Sequence, residues 1–131
     1  MEQTQVTNDK ARLIEDYIRH TMGTENHYWH WSRQLKYTDG AKYVADTCGA
    51  HWLIDLIASH QPAIIKRGGA PFQVWQLETK GDKYLISGWN DTPHKSSILA
   101  KQEIEYTDFP AELMPFKLWV ESGVLLLPEE H

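Results

Sequence analysis

The chain has 131 residues, with 13 basic and 18 acidic side chains and a formal net charge of −5. That length fits one domain, expected over 1–131 with residues 1–7 disordered, and the acidic balance disfavours nucleic-acid binding, which shows as a basic surplus gathered on one face. The lone Cys48 excludes an internal disulfide and a multi-cysteine zinc site, while six tryptophans are many for this length.

Asn8 reads as a helix N-cap, and Leu13, Ile14, Tyr17, Ile18 and Met22 recur at helical spacing up to Gly23, which predicts a helix over about 9–22. The next stretch, 24–37, is dense in aromatic and polar side chains and reads equally as an extended segment or a structured loop. Thr38 or Asp39 then caps a second helix, whose stripe of Ala41, Val44, Ala45, Cys48, Trp52, Leu53, Leu56 and Ile57 predicts a span of about 40–59. Gly49 kinks or splits it, and Pro62 ends it, because the residue before proline avoids the helical region.

From Phe72 onward the pattern is β. Phe72–Thr79 and Tyr84–Trp89 flank a Gly81-Asp82 turn, Lys101–Thr107 alternates apolar and polar side chains, and Phe116–Glu121 with Val124–Leu127 close a last hairpin. Helices followed by strands predict an α+β fold: two N-terminal helices packed on one face of a roughly five-stranded antiparallel sheet. Trp52–Ile54 and Val124–Leu127 are too short to span a bilayer, and no signal peptide opens the chain, so the expectation is a cytoplasmic protein with no membrane partner.

A series of short motifs resembles an uncharacterised bacterial family, a domain of unknown function (DUF6876). They are Gly23-Thr24-Glu25-Asn26, His30-Trp31, Tyr37-Thr38-Asp39-Gly40, Gly49-Ala50-His51-Trp52-Leu53, Phe72-Gln73-Val74-Trp75, Glu103-Ile104, Tyr106-Thr107-Asp108-Phe109-Pro110 and Leu126-Leu127-Pro128-Glu129. The resemblance covers roughly 13–130 and implies a setting in bacteria, plasmids or phages. It implies no activity, and His51 stands where relatives are expected to carry tyrosine.

Three constellations could carry chemistry. His27, His30, His51 and Asp55 could converge on a transition-metal ion, although their spacing matches no recognised metal signature; the plain alternative leaves Asp55 solvated or bonded to His51. Asp39 and Asp108 could form an acid–base pair, but capping and turn initiation account for them equally. Cys48 could be a nucleophile beside His51, yet it falls on the apolar stripe and reads as core. No phosphate-binding glycine loop occurs.

Trp29, His30, Trp31, Tyr37, Asp39, Trp75 and Trp89 are the candidate binding residues, because Trp and Tyr are enriched in binding hot spots. The expected function is that of a small acidic protein-interaction module, without cofactor and more an adaptor than an enzyme. In the resemblance's setting it would be a regulator or host-defence inhibitor on a mobile element. The alternatives are a ligand-binding or structural homodimer that covers its open sheet face, and a small metal-dependent hydrolase or nuclease.

Overall fold

The computed structural model describes residues 2–21, 23, 26–90 and 98–131, with side chains from Asp9 onward. In chain order its elements are α1 (Glu2–His20), β1 (His27–Trp29), β2 (Lys36–Thr38), α2 (Asp39–Cys48), α3 (His51–Lys66), β3 (Phe72–Lys80), β4 (Lys83–Asn90), β5 (Ile98–Ile104), β6 (Phe116–Glu121) and β7 (Val124–Leu126). Short 3-10 turns occupy Ala111–Leu113 and Pro128–Glu130. The strands form one seven-stranded sheet in the order β1-β2-β7-β6-β3-β4-β5.

The α+β class holds, but three of its details are corrected. The sheet has seven strands among the described residues rather than five, since the aromatic stretch ahead of Thr38 is a hairpin. It is mixed rather than antiparallel: β2 runs parallel to β7, with Lys36 opposite Val124 and Tyr37 opposite Leu125. Three α-helices stand among the described residues where two are expected. Gly49 takes the left-handed conformation at φ 61° and caps α2, its N–H donating to Ala45 O, so the long stripe breaks there.

Two helix boundaries also differ. α1 begins at Glu2, which places Asn8 within the helix and not at its cap. Pro62 lies inside α3, and the helix runs on to Lys66. Burial explains the second case, because Ile57, Ala58, Gln61 and Ile64 all face the core and Ile64 could not do so from a broken helix. Gln61 and Gln73 exchange amide hydrogen bonds of 3.0 and 2.9 Å, and Trp75 Nε1 donates to Gln73 Oε1 at 2.9 Å. The Gln61–Gln73 pair fastens α3 to β3. β5 starts at Ile98, three residues ahead of its expected start. The loop expected after Trp89 falls almost wholly outside the described residues.

One face of the sheet carries the core. Trp75, Leu77, Ile86, Phe116, Leu118, Val120 and Leu125 pack there against Ile14 of α1, Val44 and Cys48 of α2, and Leu53 and Ile57 of α3. Gly88 sits opposite Trp75, and a Cβ on it would come within 2.7 Å of the indole, so only glycine admits the ring. The opposite face carries an apolar row across five strands: Ile98, Trp89, Val74, Trp119 and Leu126 are neighbours by register.

Candidate functional site

The aromatic hairpin β1–β2 lies at one edge of the sheet, and its connecting turn reaches the N-terminal part of α3. In that turn His30 N–H donates to Leu35 O at 3.0 Å and Arg33 N–H donates to His30 O at 2.9 Å. Arg33 adopts φ 63°, a conformation disfavoured for a side-chain-bearing residue. The buried His30 holds the turn together, at 4% exposure. Its Nδ1 accepts from Ser32 N–H at 3.2 Å and lies 2.7 Å from Ser32 Oγ, while its Nε2 lies 2.6 Å from Asp55 Oδ1. With Ser32 N–H directed at Nδ1, the tautomer that carries its proton on Nε2 satisfies both ring nitrogens, Nε2 donating to Asp55. Trp31 Nε1 donates to the same Asp55 oxygen at 3.2 Å.

Ser32, His30 and Asp55 thus form a hydrogen-bonded row with the composition of a hydrolase triad. The three amides next to the hydroxyl in sequence are engaged elsewhere and do not form an oxyanion hole for it. Ser32 N–H is bound to His30 Nδ1, Arg33 N–H to His30 O, and Gln34 N–H to Ser32 Oγ. The row is a lock that ties the turn to α3.

A cleft of about 330 Å³ opens beside this lock, lined by Trp29, His30, Trp31, Tyr37, His51, Ile54 and Asp55. Trp31 is 80% exposed and Trp29 is 53% exposed. The ring of Trp29 already has cations over it, with Lys36 Nζ at 4.8 Å and the Arg33 guanidinium at 5.4 Å from its centroid.

Of the four residues expected to gather around a metal, His30 and Asp55 are in contact. His51 turns instead to Asp46, at 2.7 Å, so Asp55 is not its partner. His27 is exposed at the start of β1, opposite Thr38. Among the described residues no three His, Cys, Asp or Glu side chains come together to hold a metal ion. Lys42 chiefly, and His51 after it, hold the Asp46 carboxyl below its ordinary value.

The other candidates scatter. Asp39 anchors β1 to the start of α2: it accepts from Asn26 N–H at 3.0 Å and from the Tyr28 hydroxyl at 2.7 Å. Donating to that carboxylate raises the Tyr28 pKa above 10.0. Asp108 is exposed in the loop before Phe109. Trp75 belongs to the core at 1% exposure, and Trp89 is half-buried on the opposite face. Cys48 is fully buried, and burial pushes its thiol up to about 11, which disqualifies it as a nucleophile at neutral pH.

Two polar residues escaped the sequence reading. Ser32 completes the turn, and its only sequence signal is a hydroxyl two residues after His30. Glu130 is buried at the N-terminus of α2, at 8% exposure. Its Oε1 accepts from the Thr38 hydroxyl at 2.6 Å and from Leu127 N–H at 2.9 Å, and its Oε2 accepts from Gly40 N–H at 3.0 Å. Thr38 is the N-cap of α2, as one of the two expected residues, its oxygen accepting from Ala41 N–H at 3.2 Å. The Tyr37-Thr38-Asp39-Gly40 and Leu126-Leu127-Pro128-Glu129 segments therefore meet in space, with Glu130 joining them.

Among the described residues no helix is long and apolar enough to cross a membrane. Comparison with the curated proteins finds no match, and comparison with the solved structures finds none. The family model described as "Family of unknown function (DUF6876)" matches residues 12–131, nearly the whole chain, and the protein belongs to that family.

Proposed function

We propose that this chain is a protein-interaction module whose docking edge is the β1–β2 hairpin and its turn. The observation that carries the reading is the pair of exposed indoles, Trp29 and Trp31, on a turn held rigid by the His30–Asp55 lock. Large exposed aromatic rings fixed in advance bind at low entropic cost, since the loop is ordered before the partner arrives. The acidic net charge favours a partner with a basic face. In a cytoplasmic bacterial or phage setting this would be a regulator or an inhibitor of a host defence system.

The test is quantitative capture. Immobilised wild-type chain should recover a stoichiometric partner from host lysate, and Trp31→Ala should lose it while Trp119→Ala, on the other sheet face, retains it. Equal capture by the Trp31 variant would refute the docking edge.

A structural homodimer is the second reading, favoured by the apolar row on the face turned from the helices, where Trp89 and Trp119 are half-buried and Val74 and Leu126 are buried. On β6 the outward side chains are Lys117, Trp119 and Glu121 in succession. Two copies related by a two-fold axis lying across the strands would set Lys117 of each against Glu121 of the other, with the tryptophans between. Sedimentation equilibrium distinguishes the readings: dimerisation abolished by Trp119→Lys supports the homodimer, and a monomer at 100 µM, on the order of a weak affinity, counts against it.

A further inference from the structure

We propose that the cleft beside the turn is a cation site which receives an arginine side chain of the partner; this deepens the docking-edge reading and rests on it. Asp55 is the anion of the site. Its Oδ1 is saturated by two donors, His30 Nε2 at 2.6 Å and Trp31 Nε1 at 3.2 Å. Its Oδ2 has no hydrogen-bond partner among the described residues, and the side chain is 50% exposed. The lock therefore holds a carboxylate in a fixed orientation with one oxygen available at the cleft.

The walls suit a flat cation. Trp31 is largely exposed, held by its indole N–H, and no cation lies over its ring among the described residues, whereas Trp29 beside it already carries Lys36 and Arg33. Tyr37 contributes a second ring and Ile54 an apolar floor. A planar guanidinium can stack on an indole and donate to a carboxylate at once, while an ammonium can do only one of these well. The volume of about 330 Å³ has room for one such side chain and its aliphatic stem.

The N-terminus of α3 contributes about half a positive charge near His51 and Ile54. Arg33 and Lys36 add their charges over Trp29, another wall of the same cleft. Against them stands the full charge of Asp55, while the charge of Asp46 at the rim, in contact with His51, is offset by Lys42 at 2.8 Å.

The experiment titrates the full chain with N-acetyl-arginine amide, followed by tryptophan fluorescence and by amide NMR shifts. Saturable binding is expected with a Kd on the order of 1–10 mM, the scale of one stacked, charge-paired group. Acetyl-citrulline amide, the same shape without charge, should bind at least tenfold more weakly, and so should arginine amide to Asp55→Asn. Because Asp55→Asn also disturbs the lock, a second pair of variants acts at the rim alone. His51→Glu should tighten binding severalfold and His51→Lys should weaken it severalfold. No saturation by 50 mM, on the order of several times the weakest expected Kd, equal binding of citrulline, or indifference to the charge at residue 51 overturns the cation site. If a partner is captured through Trp31 but capture ignores the charge at residue 51, the cation site fails while the docking edge stands. If Trp31→Ala leaves capture intact while arginine amide binds as expected, the docking edge fails and the cleft is a cation site of other use.

Discussion

Glu130 and Gly40 make one unit. A Cβ at position 40 would fall within 2.4–2.7 Å of the Glu130 carboxyl atoms, so Gly40→Ala must displace a carboxylate that accepts three hydrogen bonds. Gly40→Ala should destabilise by about 2 kcal/mol in urea unfolding, and Glu130→Ala by a similar amount. In the Glu130→Ala background the Gly40→Ala cost should fall to about 0.5 kcal/mol or less, because the clash is gone. Gly88→Ala offers a contrast: the obstacle is the Trp75 ring within the core, no side chain can swing aside, and about 2–3 kcal/mol should be lost. Cys48 predicts a reactivity. With its thiol at about 11, alkylation at pH 8.5, about the ordinary thiol value, should be negligible in native protein and fast in 8 M urea, a strongly denaturing dose on the order set by typical unfolding slopes. Comparable rates in the two states would show that Cys48 is not enclosed. This residue was legible from its place on the helical stripe. Glu130 was not, since nothing in a run of Pro-Glu-Glu says that one carboxylate turns inward to meet a helix 90 residues away.

Elements were legible where their periodicity is local. β3, β4, β6 and the close of the last hairpin fall within a residue or so of expectation, because alternation and a glycine turn specify them without help. Misplacement came where distant packing decides. Pro62 reads as a stop, yet the core contacts of Gln61 and Ile64 carry α3 through it. The β1–β2 hairpin has strands of three residues, too short to show a period. Its order comes from the His30 lock and from Asp39. His30→Ala should therefore cost about 2 kcal/mol, having removed a buried group with contacts on both ring nitrogens, and should speed hydrogen exchange in 26–38 more than elsewhere. Uniform exchange would mean that the turn does not depend on the imidazole. Tyr28 supplies a pH test of the same hairpin. Its pKa is raised in the fold, so the stabilisation it gives is full below about 10 and is lost as pH climbs through the raised value. Tyr28→Phe should flatten that alkaline loss, measured as unfolding midpoints between about pH 9 and 11.5.

At the scale of the whole molecule the two sheet faces differ in what lies against them. One is sealed by three helices, and the other shows an apolar row edged by charges. The sealed face was foreseeable from the amphipathic stripes of the helices. The position of the aromatic hairpin at the far edge was not, because it depends on a parallel pairing between strands about 88 residues apart. That pairing has a consequence for how the chain comes to life. Among the described residues β1 and β2 join the sheet through β7, by Lys36 and Tyr37 against Val124 and Leu125 and by Lys36 N–H to Gly123 O. During synthesis the aromatic segment leaves the ribosome early and waits, without a strand to join, until residue 126 has emerged. The hairpin that we propose as the docking edge thus takes its place in the sheet only when the last strand is made, although its contacts with Asp39 and Asp55 lie far earlier in the chain.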